Sequence, residues 1–145
     1  MNLPSHEVRS TPAMILSNTC DISPSNERLL PSRVVYAPIL QLEKYKQLLL
    51  CNTQKEQQVI DNHIKSIKNQ FISNIFYLPK GINLEHDSIV FLDRLNNCPA
   101  GILTEEEIKK KKLFTLSNYG FYIFLIKISI HFTRIREEVD RISSE

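Results

Sequence analysis

Seven apolar side chains, Phe121, Leu125, Ile128, Phe132, Ile135, Val139 and Ile142, recur at alternating spacings of four and three residues. That rhythm keeps one face of an α-helix apolar over several turns, as in the seam of a coiled coil. A C-terminal helix is therefore expected over 117–142, with Ser117 as its cap. Its first half, Phe121 to Ile126, is apolar nearly all round and is expected to be buried, with Phe121, Leu125 and Ile128 entering the core. Its second half carries Arg134, Arg136, Glu137, Glu138, Asp140 and Arg141 and must be partly solvated. Phe132, Ile135, Val139 and Ile142 continue the stripe beyond what a chain of 145 residues easily covers. These four are the expected partner-binding surface, for self-association or for a partner helix. The competing arrangement folds the stripe back onto Ile60, Ile64 and Ile67.

The remainder reads as one domain of strands interrupted by helices. Residues 1–12 are expected to be a flexible arm. Ala13 to Leu16 is a short apolar strand, and Arg33 to Leu42 is β-branched and aromatic, with Pro38 indicating an edge or a bulge. Leu42 to Leu50 is a short helix. Thr53 and Glu56 have the spacing of a capping box, ahead of a second helix whose apolar face is Ile60, Ile64, Ile67 and Phe71. Strands resume over Asn74 to Leu78 and Ser88 to Leu95, separated by Pro79, Lys80 and Gly81. Thr104 to Lys112 is a charged helix or loop, and Leu113 to Leu116 is a candidate last strand. The fold class is α+β: a small antiparallel sheet over 13–41 and 74–116, a helical insertion over 42–72, and the long C-terminal helix.

Charge and cysteines narrow the function. A formal charge of +2 does not by itself point to nucleic acid, so any basic surface has to be local. Cys20, Cys51 and Cys98 are dispersed and odd in number, which argues against a disulfide framework or a zinc site and fits a reducing cytoplasm. The N-terminal residues lack the apolar core of a signal peptide, and Lys127 interrupts the longest apolar run well short of the roughly 20 residues that span a bilayer. No metal and no cofactor is expected. Frequent Ile, Asn and Lys beside scarce Gly indicate an AT-rich, bacterial genome.

The order of several short motifs is informative. Thr11-Pro12-Ala13-Met14-Ile15-Leu16-Ser17-Asn18 comes first, then Val34-Val35-Tyr36-Ala37-Pro38-Ile39. Tyr77-Leu78-Pro79 and Asp87-Ser88-Ile89-Val90-Phe91-Leu92-Asp93 follow, and a helix closes the chain. In this colinear order, over about half of its length, the chain resembles the MazF/PemK family of SH3-like barrels, toxins that cleave RNA. The resemblance implies an SH3-like partial barrel. It also implies a site near Arg9, which stands displaced from the family's Arg-Pro pair now occupied by Thr11-Pro12, and near Asp93 and Arg94. Departures weaken catalysis. The family's first strand has no counterpart, and its active-site threonine corresponds to Leu40. Metal-free RNA cleavage needs a base for the 2′-hydroxyl and a cation at the phosphate, and Leu40 supplies neither.

The polar turn after the first strand adds Ser17, Thr19, Cys20 and Asp21 to the candidate site, with Arg33 or Arg94 expected beside Asp21. Cys20 is a candidate nucleophile, but no motif assigns it a base among His6, His63, His86 and His131. His86-Asp87 and His131 lack metal-ligand spacing. Glu105 to Lys112 is more simply a solvated helix with internal ion pairs. Arg134, Arg136 and Arg141 beside Tyr119 and Tyr122 suit either RNA or a polar coiled-coil flank. The expected function is that of a non-catalytic binding or accessory protein of a bacterial mobile element or defence locus. It would act by protein or RNA contact, without a membrane. The alternatives are a MazF/PemK-like, metal-independent endoribonuclease and a cysteine enzyme centred on Cys20.

Overall fold

The computed structural model describes residues 10–18, 22–23, 29–81 and 83–133. The expected arm before residue 10, the turn residues Thr19 to Asp21 and the helix beyond Thr133 lie outside the described residues. The elements run β1 (Ala13–Ile15), β2 (Arg33–Gln41), α1 (Leu42–Asn52), α2 (Gln57–Lys68), β3 (Ile75–Leu78), β4 (Ser88–Phe91) and β5 (Asn96–Pro99). A 3-10 turn (Ala100–Ile102), α3 (Glu105–Lys111) and α4 (Asn118–Thr133) follow. The five strands form one antiparallel sheet in the order β1-β2-β4-β3, with β5 also on β2. No pairing joins β1 to β3 among the described residues, so the sheet is open.

β2 organises the sheet. Tyr36 pairs with Ile15 of β1 and with Asn96 of β5, which places these strands on opposite edges. Farther along, Ile39 pairs with Val90 of β4. From Ile39 back to Tyr36 β2 advances three residues, while the opposing chain advances six, from Val90 to Asn96. The extra residues form the turn Leu92 to Leu95, which was expected to continue the strand. Pro38 explains the break. Its neighbour Ile39 donates to Pro12 on the β1 side, so the position of Pro38 faces the other edge, where it has no N–H to offer. The ladder is interrupted opposite a residue unable to complete it, and the sheet bends there.

Alternation along β3 and β4 sorts the core onto two faces. Phe76, Leu78, Val90 and Leu92 join Met14, Ala37 and Ile39 on one side, closed by Phe124 of α4, whose ring meets Phe76 edge-on at 5.4 Å between centroids. Ile75, Ile89 and Phe91 turn to the other side, against Leu42 and Ile67. The sheet therefore lies between α4 and the α1–α2 pair, and α4 does not fold back onto the Ile60–Ile67 face.

Several local expectations are corrected. Thr53 does not open a capping box: its hydroxyl donates backwards to the Leu49 carbonyl at 2.6 Å and closes α1, while Glu56 caps α2 without a side-chain bond. α2 stops at Lys68 because Gln70 adopts a left-handed backbone, φ 62°, so Phe71 leaves the helical face and is 78% exposed. Gln70 is useful in that strained turn. Its amide donates to the Tyr77 carbonyl at 2.8 Å and accepts from the Tyr77 N–H at 3.1 Å, blunting the outer edge of β3. Leu113 to Leu116 forms no strand. β5, Asn96 to Pro99, is an exposed polar strand without an alternating apolar signature.

This placement separates two residues that share a helical period. Ile67, 0% exposed, should lose about 2–5 kcal/mol of unfolding free energy on Ile67→Ala, whereas Phe71→Ala should cost less than about 1 kcal/mol. Denaturant melts of the two variants check the helix end directly, and equal losses would contradict it.

Candidate association surface

α4 begins where Ser117 accepts a hydrogen bond from the Gly120 N–H at 3.1 Å. Its sequence, NYGFYIFLIKISIHFT, contains a single permanently charged side chain, Lys127. A helix so apolar should turn its lysine to water and its aromatics inward. The structure does the reverse. Lys127 is 4% exposed, and its ammonium donates to the carbonyls of Gln70 at 2.9 Å and Ile72 at 2.6 Å. The only other buried position of α4 is Phe124, with Ile123 and Ile128 partly covered.

The apolar bulk faces outward. Tyr119 is 76% exposed, Phe121 51%, Tyr122 61%, Leu125 47%, Ile126 38%, Ile130 48% and Phe132 60%. At 100° per residue these side chains cover about half of the helix circumference, a continuous arc opposite Phe124 and Lys127. The expectation that Phe121 and Leu125 enter the core is thus wrong in phase, whereas Ile128 does pack against the core, partly buried, and most of Phe121 to Ile126 is not buried. Phe132 does lie on the outward face. Ile135, Val139 and Ile142 are outside the described residues. No helix among the described residues is long and apolar enough to cross a membrane.

Two clefts adjoin the N-terminal end of this face. One of about 580 Å³ lies between Gln70, Phe76, Leu78, Leu116, Tyr119 and Ile123. The other, about 400 Å³, is bounded by Lys80, Leu84, Leu113 and Phe114. Beside them Asp87 ties three elements together. It accepts from Lys68 of α2 and from the Lys80 N–H, each through a different oxygen, at 2.8 and 3.1 Å, and bonds Tyr77 of β3. Lys68 first, then the Lys80 amide and Tyr77, hold its carboxyl down to about 2 against the opposing effect of burial. Burial, then Asp87, pushes the Tyr77 hydroxyl up to about 12. This carboxylate is committed to holding the sheet to α2.

Each described residue of the candidate site has a structural partner of its own. Ser17 accepts from the Val35 N–H at 2.7 Å, fixing the end of β1 to β2. Arg33 donates to the Asn97 side chain across β2 and β5. Asp93 accepts from Asn74 at 3.2 Å, and Arg94 lies over the Phe91 ring, 4.4 Å from its centroid. No hydrogen bond or ion pair joins any two of these four residues. Leu40 is exposed on β2, opposite Ile89. Arg9, Thr19, Cys20 and Asp21, including any contact of Asp21 with Arg33 or Arg94, lie outside the described residues. The grouping that sequence reasoning missed is Tyr45 with His63, whose Oη and Nε2 are 3.1 Å apart. Burial, followed by Lys55, keeps His63 below the usual histidine range, so its neutral ring suits a hydrogen bond with tyrosine. Tyr45 also stacks edge-on with Phe91 at 5.6 Å, which makes the group a brace between α1, α2 and β4. Among the described residues no three His, Cys, Asp or Glu side chains come together as a metal site.

Burial pushes the Lys127 ammonium down to about 8 from its ordinary 10.5. The unfolded chain therefore binds more protons between those values, and stability rises with pH across that window. Relative to Lys127→Met, the natural protein should gain about 1–2 kcal/mol of unfolding free energy between neutral pH and about 9.5. Paired denaturant titrations measure this, and a constant difference would contradict the burial. Compared with protein-family models, with curated proteins and with solved structures, the chain has no match.

Proposed function

We propose that the protein is a non-catalytic association module and that the outward face of α4 is its working surface. The observation that carries this reading is the inverted helix: one buried lysine, and seven large apolar side chains turned to solvent. Full burial of such side chains is worth about 1.5–3 kcal/mol each, so half-exposed ones forgo on the order of 1 kcal/mol apiece. Exposed apolar area of this extent on one element marks an interaction site. A partner that covers it completes the burial the chain leaves unfinished.

The bent, open sheet supports the finer reading of an SH3-like partial barrel, with the α1–α2 pair as an insertion. The endoribonuclease reading draws on the order of the sequence motifs and on the exposed position of Asp93 and Arg94. It is the weaker reading, because Ser17, Arg33, Asp93 and Arg94 are each engaged in a separate structural contact and Leu40 brings no hydroxyl to the site.

Two measurements test the assignment. A photo-crosslinking amino acid at Tyr122 should capture a protein partner in the producing cell, while the same group at the exposed Lys44 of α1 should not. Equal, background capture at both positions would end the association reading. Purified protein incubated with long mixed-sequence RNA without metal should leave it intact; sequence-specific fragments that vanish in Asp93→Ala would establish the nuclease instead.

A further inference from the structure

Building on the association reading, we infer that the partner on the α4 face is a second copy of this chain, the two helices packing across a twofold axis. The first argument is area. The seven outward side chains include four aromatics, and at the exposures given above they present roughly 700–800 Å². A standard specific interface takes about 800 Å² from each partner, so one α4 face supplies nearly all that a dimer of this kind requires. A twofold pairing matches the patch with itself, and self-complementarity is what an uncharged, largely apolar helix face offers.

Charge supplies the second argument. The outward arc of α4 carries no charged side chain, so two copies meet without like-charge repulsion, and the arc has no charge with which to select a different, charged partner. Ser129 is exposed near the middle of the arc, between Leu125, Ile126 and Phe132, where two helices crossing need the least bulk. A lipid surface fits less well. Helices that lie on bilayers pair an apolar face with outward cations, and the one lysine of α4 is turned inward onto carbonyls. The sequence after Thr133 carries Arg134, Arg136 and Arg141 against Glu137, Glu138, Asp140 and Glu145, a slightly acidic set ill suited to anionic headgroups.

The full chain is tested by light scattering coupled to gel filtration across the micromolar range. The expected mass is twice 16.9 kDa. Leu125→Glu, and separately Tyr122→Lys, should each reduce it to the single-chain value while the far-ultraviolet spectrum and cooperative melting persist. Lys44→Glu, on the opposite side of the sheet, should leave the dimer intact. A single-chain mass for the natural protein throughout the range would overturn the inference, as would a dimer that survives both α4 variants. Binding of single chains to vesicles of phosphatidylcholine and phosphatidylglycerol would assign the face to lipid instead. If the natural protein is a single chain but Tyr122 crosslinks to a different protein, the association reading stands and only the second copy fails.

Discussion

The ammonium of Lys127 between the carbonyls of Gln70 and Ile72 fixes the rest of the architecture. A lysine buried in an apolar helix costs several kcal/mol of hydration, and two charge-assisted hydrogen bonds of about 1.5–3 kcal/mol each offset much of it. Those bonds set the rotation of α4 about its axis. With Lys127 inward, Phe124 seats on Phe76, and the opposite half of the helix, with Tyr119, Phe121, Tyr122, Leu125 and Phe132, must face out. Turning the helix over would return the ammonium to water and take from the Gln70 and Ile72 carbonyls the bonds it gives them. The observed phase suits a chain whose α4 is covered from outside.

The lysine also reinforces a strained turn. Gln70 sits in the left-handed region, where a residue with a side chain pays on the order of 1 kcal/mol. Its carbonyl is held by Lys127 and its amide pairs with the main chain of Tyr77, whose hydroxyl reaches Asp87 and thence Lys68 of α2. A chain of polar contacts thus runs from α4, around the outer edge of β3, to the helices on the other face. On the far side of the sheet the Pro38 break does the complementary task, bending β4 away into β5 and presenting Asp93 and Arg94 on the turn.

Where local pattern is decisive, the sequence is legible. The β-branched run at Arg33 to Gln41 forms the central strand, the helical period of Ile60 and Ile67 finds the buried face of α2, and Ser117 opens α4. The failures share a cause. A helix apolar on every side has no preferred direction, so its phase depends on contacts 55 and 57 residues away, between Lys127 and the loop after α2. Phe71 keeps the period but follows a turn that only the Gln70–Tyr77 pairing explains. Thr53 has equal chemistry for bonding forward or backward, and the carbonyl of Leu49 was the nearer partner. β5 is an exposed polar strand recognisable only through its pairing with β2. Of the candidate site drawn from motif order and the polar turn, Arg9, Thr19, Cys20 and Asp21 lie outside the described residues, while Ser17, Arg33, Asp93 and Arg94 each have a structural partner of their own.

The inward lysine is the central claim, and graded acylation of the native protein by acetic anhydride, read lysine by lysine by mass spectrometry, tests it most directly. Lys127 should remain unmodified until the protein unfolds, while the exposed Lys44 and Lys65 react from the outset. Modification of Lys127 at the rate of those surface lysines, with the fold intact, would mean that α4 presents its charge to water and would contradict the account.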